Sequence, residues 1–193
     1  MSRLILASTS AHRRRLLERL SLKFATLAPG VDETQAPGES PPQLAARLAD
    51  EKAATVEAAD AIVIGSDQVA SRAGLILRKP GNHANALEQL LACQGKQVDF
   101  YTAVTVIDHG HGDTRRHIDH TVVHFAALES AALDRYLRRE RPYDCAGGFK
   151  AEGLGIVLFE RIESSDPTAL VGLPLIWLAG TLRSMGLDPL EID

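Results

Sequence analysis

Blocks of apolar and polar residues alternate along the first part of the chain and predict short strands and helices in turn. Residues 3–7 (RLILA) predict a buried strand, and residues 10–20 place their leucines at helical spacing. Residues 22–28 alternate like a strand, and the prolines and glycines of residues 29–40 predict a loop.

The second helix has a start signal in the sequence. Ser40 and Gln43 form a Ser-x-x-Gln capping box, and Pro41 stands at the first helical position. The apolar spacing that follows predicts a helix through about residue 58.

A continuous apolar run at residues 61–66 predicts a strand buried on both faces, with Asp67 at its end. A polar strand or hairpin is expected near residues 68–77, and a helix at about 82–92.

The second half of the chain predicts a long hairpin followed by shorter elements. Residues 97–108 and 115–127 read as its two strands, because the turn between them is rich in glycine. The other expectations are a helix at about 129–139, a Gly-rich loop at 142–153, a strand at 154–162 and a helix at 174–186. An early β–α–β alternation combined with a hairpin predicts an α/β fold with a mixed twisted sheet.

Composition narrows the class of protein. The chain has 193 residues, 45% of them hydrophobic and 24% charged, which predicts one soluble globular domain. The net charge of −4 argues against sequence-independent nucleic-acid binding. Two distant cysteines predict a reducing compartment, and the sequence contains no apolar run of about 18 residues that could span a membrane. We therefore expect a cytoplasmic protein without a membrane or nucleic-acid partner.

The start of the first helix carries an unusual set of cations. Arg13, Arg14 and Arg15 lie where the helix dipole disfavours positive charge. Together with the hydroxyl groups of residues 8–10 they could form a phosphate cradle, or they could be a solvated basic face. Because three consecutive side chains point around a helix, at most one or two can face one ligand.

Asp67 is the carboxylate with the most suggestive position. The end of a buried strand is where open α/β sheets bind ligands, and the strand at 3–7 ends in polar residues too. Taken alone, an Asp at this point more often opens a turn.

Other polar residues near the ends of predicted elements could likewise bind a ligand or be ordinary surface residues. Glu33, Lys52 and Lys79 are each, alone, more simply surface charges, although a triphosphate with a metal needs such groups. The glycines of the segment 145–153 could bring backbone close to a planar ligand or form an ordinary loop. The histidines at 117, 120 and 124 lack fixed partners, which disfavours a zinc site.

The chain resembles the Maf-like nucleotide pyrophosphatases over nearly its full length. The resemblance is carried by 4-LILASTSAHRRRLLERL-20, 31-VDE-33, 47-RLADEKA-53, 62-IVIGSDQV-69, 79-KP-80, 101-YTAV-104, 145-CAGGFKAEG-153 and 170-LVGLPL-175. It implies one Maf-like domain over 1–193, with an inosine-triphosphatase-like, two-lobed fold and a central cleft. It also implies hydrolysis of a nucleoside triphosphate between the α and β phosphorus atoms.

The resemblance implies specific roles for individual residues. Asp67 would be the proton acceptor, and Glu33 with Asp67 would hold a divalent cation, Mg²⁺ or Mn²⁺. The phosphate-binding residues would be Ser8, Arg13, Lys52 and Lys79.

Three residues bear on which nucleotide base the resemblance implies for the substrate. The Asp-Gln pair at Gln68 and the FKAEG segment around Glu152 resemble the branch that hydrolyses 7-methyl-GTP, whereas His12 departs from its usual aromatic residue. These three residues are the expected specificity positions. Two alternatives are a pyrophosphatase for dTTP, UTP or other triphosphates, and a nucleotide-binding regulator of cell division without catalysis. An apolar edge near the hairpin is compatible with a homodimer.

Overall fold

One mixed sheet of seven strands organises the chain, and five helices pack against it. The computed structural model describes residues 3–191. Within that range the strands are β1 (Arg3–Ala7), β2 (Phe24–Leu27), β3 (Ala61–Arg72), β4 (Leu75–Leu77), β5 (Gln97–Asp108), β6 (Asp113–Phe125) and β7 (Phe159–Glu163). The helices are α1 (Ala11–Glu18), α2 (Pro41–Ala54), α3 (His83–Cys93), α4 (Ser130–Glu140) and α5 (Leu175–Ser184).

The order of the strands confirms the predicted mixed α/β class. The sheet runs β2-β1-β3-β5-β6-β7, and β4 pairs with β3 outside this path. β1 is parallel to both β2 and β3, as expected for strands joined through helices. The β3–β5, β5–β6 and β6–β7 pairs are antiparallel, and β5 with β6 forms the predicted long hairpin.

β3 is longer than the sequence pattern predicts. The expectation that the strand ends at Asp67 is wrong, because β5 stays paired with β3 as far as Ser71. On its other side β3 pairs with β1 only through Gly65 and with β4 only from Ala70 onward. The segment 66–69 therefore has a strand neighbour on one side only, and its polar residues face an opening in the sheet.

Two apolar cores lie on either side of this opening. One joins β1 and the first half of β3 to α1 and α5, with Leu6, Leu17 and Leu178 at its centre. The other joins α3 and α4 to the far halves of the long strands, around Leu90 and Phe100. Because β3 and β5 run through both cores, the predicted two lobes share one sheet.

Two other predicted boundaries change. The structure ends α2 at Ala54, where the hydroxyl of Thr55 donates to the Lys52 carbonyl at 2.9 Å, instead of continuing to residue 58. The strand predicted at 154–162 begins as a 3-10 turn, Leu154–Leu158, and is extended only from Phe159. Among residues 3–191, no helix has the length and apolar character needed to cross a bilayer.

Candidate active site

A cleft of about 750 Å³ lies between the two cores, at the opening beside β3. Its walls come from the loop between β1 and α1, the segment 28–33, the middle of β3, the segment 144–152 and the turn 170–172. The volume lies within the range of about 300–1,000 Å³ that small-molecule sites occupy. The nine residues to which the family resemblance assigns a role all line this one cleft: Ser8, His12, Arg13, Glu33, Lys52, Asp67, Gln68, Lys79 and Glu152.

Lys52 joins two carboxylates at the floor of the cleft. Its Nζ donates to Oδ1 of Asp67 at 2.7 Å and to Oε1 of Glu33 at 2.5 Å. The Lys52 and Asp67 side chains are 6% and 11% exposed, whereas that of Glu33 is 57% exposed. A carboxylate as buried as Asp67 requires a charged partner, and Lys52 is that partner.

A glycine allows Lys52 to reach Asp67. A Cβ on Gly65 would lie 2.3 Å from the Ala49 carbonyl oxygen and 2.4 Å from the Ala53 nitrogen, so only glycine lets α2 pack this closely on β3. Alternate residues of a strand share a face, so Asp67 points to the same side of β3 as Gly65, towards α2. The close approach therefore fixes the Lys52–Asp67 pair.

The start of α1 supplies the predicted phosphate cradle. Ser10 caps the helix by accepting from the Arg13 amide at 3.4 Å, and the Ser10 amide donates to Oγ of Ser8 at 3.1 Å. Of the three arginines, only Arg13 lines the cleft. Arg14 and Arg15 are exposed, and Arg14 pairs with Glu18 at 3.0 Å. One arginine therefore faces the ligand site and two face solvent.

A 3-10 turn, Ala169–Val171, and the following Gly172 form the wall opposite α2. Nε of Arg13 donates to the Gly172 carbonyl at 2.9 Å, and the buried Ser66 hydroxyl lies 3.1 Å from the same oxygen. The Gln68 amide nitrogen lies 2.9 Å from the Ala169 carbonyl and 3.0 Å from the Leu170 carbonyl.

Thr102 completes this wall from β5. Its hydroxyl donates to the Ala169 carbonyl at 2.9 Å and accepts from Nε2 of Gln68 at 2.9 Å. The two amide protons of Gln68 are thus surrounded by protein acceptors, and its Oε1 is left for the cleft. Sequence reasoning missed Ser66, Thr102 and the turn itself; the only signal was the Val-Gly-Leu-Pro segment, whose Gly172 adopts φ +119°.

His12 and Glu152 meet across the mouth of the cleft. Nδ1 of His12, on α1, lies 2.6 Å from Oε1 of Glu152, on the other lobe. The loop that carries Glu152 is held by α4, since the Lys150 amide donates to the Tyr136 hydroxyl at 3.2 Å and the Leu154 amide to Glu140 at 3.0 Å. Glu152 is therefore a positioned carboxylate.

Two other residues of this loop have no direct chemical role. Burial raises the pKa of the Cys145 thiol to about 12, so the thiol stays protonated and is a poor nucleophile. Phe149 is buried and packs edge-to-face on Phe100, Phe125 and Phe159, so it supports the loop from below.

The floor of the cleft is close to electrical balance. A hydrogen bond from Lys52 lowers the pKa of Glu33 below its usual value, with further help from the positive charges of Lys52, Lys79 and Arg13. Burial lowers the pKa of Arg13, while Asp67 and Glu33 act to raise it. The guanidinium remains protonated at any physiological pH. Glu33 is thus ionised beside cations that could also neutralise phosphate.

The donor set fits a small divalent cation of the Mg²⁺ type. Glu33 and Asp67 converge on one ammonium group, so their oxygens lie within reach of one ion. Such a cation is usually held by one or two carboxylates together with substrate phosphates. Within residues 3–191 no cluster of three or more acidic, histidine or cysteine side chains could hold a metal by itself. The three histidines considered above are apart from one another, with His117 stacked on Trp177, His120 paired with Asp99 and His124 paired with Glu163.

The chain matches a known protein family over most of its length. The family model described as Maf-like protein matches residues 3–185. A relative from Xanthomonas axonopodis pv. citri, named 7-methyl-GTP pyrophosphatase, is 56% identical over 96% of this chain and 98% of its own length. Relatives of the same name from Ralstonia nicotianae and Vibrio vulnificus are 53% and 49% identical, over 94% and 97% of this chain and 95% and 97% of their own lengths.

The chain also has a distant likeness to a solved structure. A HAM1 protein from Coxiella burnetii is 16% identical and aligns with a TM-score of 0.43, over 66% of this chain and 75% of its own.

Proposed function

The chain belongs to the Maf-like protein family, and from this premise we propose that it hydrolyses 7-methyl-GTP to 7-methyl-GMP and pyrophosphate. The observation that supports the proposal most is the division of the cleft into two ends. Cations and carboxylates converge around Asp67, and another carboxylate, Glu152, pairs with His12 across the mouth of the cleft. The relatives that are about half identical to this chain carry the same activity in their names.

The end around Asp67 suits the triphosphate. Ser8 and the first amides of α1 can donate to phosphate oxygens, because amides in the first turn lack partners within the helix. Arg13 uses Nε on the wall and keeps its two terminal nitrogens for phosphate. Lys52 and Lys79 add positive charge where charge builds on the leaving pyrophosphate.

Asp67 is proposed as the proton acceptor. Its Oδ1 is fixed by Lys52, which leaves Oδ2 to take a proton from the attacking water. The oxygen of this water forms the new bond to the α phosphorus. The anhydride bond between the α and β phosphates breaks as pyrophosphate leaves. A Mg²⁺ or Mn²⁺ ion held by Glu33 and Asp67 would acidify water and neutralise phosphate charge.

The other end of the cleft suits a cationic base. Guanine methylated at N7 carries a positive ring, and a carboxylate beside it favours the cation over neutral guanine. Glu152 can also accept hydrogen bonds from the N–H edge of guanine. His12 is proposed to orient Glu152. Gln68, which lines the same cleft, offers Oε1 as an acceptor. These three residues would therefore set the preference for 7-methyl-GTP.

The bond that is cleaved tests this proposal. The purified protein with Mg²⁺ should convert 7-methyl-GTP to equal amounts of 7-methyl-GMP and pyrophosphate, measured by anion-exchange chromatography. Formation of 7-methyl-GDP and orthophosphate would show cleavage at the wrong bond. Tight nucleotide binding without turnover would favour a nucleotide-binding regulator instead. The cytoplasmic location and the homodimer remain predictions.

A further inference from the structure

Lys52 occupies the place where the two carboxylates of the floor converge. Its ammonium group contacts both Asp67 and Glu33, at 2.7 Å and 2.5 Å, and its side chain is 6% exposed. α2, which carries Lys52, packs so closely on β3 that a Cβ on Gly65 would lie 2.3 Å from the Ala49 carbonyl oxygen. Lys52 therefore already supplies these carboxylates with the positive charge that buried anions need.

The charges on the floor cancel before any ligand arrives. Asp67 and Glu33 contribute two negative charges, and both interact with Arg13 as well as with the ammonium of Lys52. A divalent cation that approaches alone would be attracted by the carboxylates and repelled by the two neighbouring cations. Because affinity for such cations depends on the net charge of the ligand set, the free protein should bind them weakly.

The two cations differ in their freedom to move. Arg13 is anchored to the wall by the bond from Nε to the Gly172 carbonyl. Lys52 is a compact charge on a flexible stem, and one of its three ammonium protons is not needed for the two carboxylates. The phosphate oxygens of a triphosphate in the cleft would compete with the carboxylates of Glu33 and Asp67 for the ammonium group of Lys52.

We propose that Lys52 is also a positioning residue that excludes divalent cations from the free protein, so that the metal enters together with the triphosphate. Lys52 has then two consecutive tasks, to neutralise the carboxylate pair and to bind phosphate. The inference rests on the proposed function for the identity of the triphosphate, but the behaviour of the free protein towards a metal can be measured without any nucleotide.

The test is a titration of the nucleotide-free protein with Mn²⁺. Binding is measured by the electron paramagnetic resonance signal of the unbound ion. Lys52→Met should bind Mn²⁺ about tenfold more tightly than the wild type or better, because a unit charge close to the ion is removed. Lys150→Met is the matched control, since Lys150 lines the same cleft without an ion pair to either carboxylate; it should behave like the wild type. Adding Glu33→Gln to Lys52→Met should abolish the gain.

If Lys52 had a merely structural role, its replacement would not strengthen Mn²⁺ binding. Equal or weaker Mn²⁺ binding by a folded Lys52→Met protein, checked by circular dichroism, would overturn the inference. If Lys52→Met does not fold, Lys52→Gln removes the charge while keeping a hydrogen-bond donor, and the same comparison applies. Turnover of 7-methyl-GTP by the wild type is measured separately, so absence of turnover refutes the proposed function alone, and unchanged Mn²⁺ affinity refutes only this inference.

Discussion

Nε of Arg13 lies 2.9 Å from the carbonyl oxygen of Gly172, a contact between residues 159 positions apart. The contact fixes the guanidinium against the wall of the cleft and leaves its two terminal nitrogens for phosphate. The only arginine of α1 that lines the cleft is therefore oriented before substrate arrives.

Arg13→Ala should lower kcat/KM roughly a hundredfold, the usual loss when a preorganised charge contact is removed. Arg14→Ala is the control, because Arg14 is exposed on the same helix and pairs only with Glu18. Steady-state pyrophosphate release measures both variants. Similar losses in the two would mean that the whole basic segment, and not the anchored guanidinium, binds phosphate.

Asp67→Asn should keep the fold and lose roughly a hundred- to ten-thousandfold in kcat, the range that a general base contributes. The fold survives because the amide oxygen can still accept from Lys52, whose bond to Asp67 is 2.7 Å long. Single-turnover kinetics and thermal unfolding should be measured on the same sample. Turnover at the wild-type rate would remove Asp67 from the role of proton acceptor.

Glu152→Gln should reduce the ratio of 7-methyl-GTP to GTP turnover by about tenfold, since the amide lacks the charge that favours a cationic ring. Glu160→Gln, an exposed change of the same kind on β7, should leave the ratio as it is. Competition between the two substrates in one reaction gives the ratio directly. An unaltered ratio in Glu152→Gln would assign base selection to other residues.

Gly65→Ala should destabilise the protein by about 1–3 kcal/mol or more, because the new Cβ must push α2 away from β3. Gly180→Ala provides the contrast: Gly180 lies in α5 with no atom within 4 Å of an added Cβ, and alanine there should stabilise by about 0.5–1 kcal/mol. Urea unfolding measures both. Equal stability of the two variants would contradict the close packing of α2 on β3.

The pair between Glu33 and Lys52 should make stability depend on pH. Hydrogen bonding to Lys52 lowers the folded pKa of Glu33 below its unfolded value of about 4.3. The contribution is therefore present above that value and is lost as the pH falls through the folded pKa. The wild type should unfold at a higher temperature than Glu33→Gln at pH 7, by a small margin because Glu33 is largely exposed. The margin should shrink as the pH falls below about 4.3 and through the folded pKa of Glu33. A margin that stays constant on acidification would show that the effect is not ionic.

Local signals in the sequence predict much of the fold. The capping box at Ser40 marks the start of α2, and the Ser40 amide donates to Gln43 at 2.9 Å. The glycine-rich turn predicts the hairpin of β5 and β6. In both places the information lies within a few neighbouring residues.

The end of β3 could not be predicted in this way. The polar residues at 66–68 follow an apolar run, a pattern that is typical of a strand end. In the structure β3 continues, and these residues are polar because β1 ends beside them and leaves them facing the cleft. The wall built by Ser66 and Gly172 was missed for a related reason. Its partners are 106 positions apart, and no local pattern reports that distance.

A preference for 7-methyl-GTP over other nucleoside triphosphates can be measured with one panel of substrates. Pyrophosphate release is measured from 7-methyl-GTP, GTP, dTTP, UTP, CTP and ITP, each with and without Mg²⁺. We predict the highest kcat/KM for 7-methyl-GTP, and turnover only with the metal. A higher kcat/KM for dTTP or UTP, or no turnover of any of the six nucleotides, would contradict the proposed 7-methyl-GTP pyrophosphatase activity.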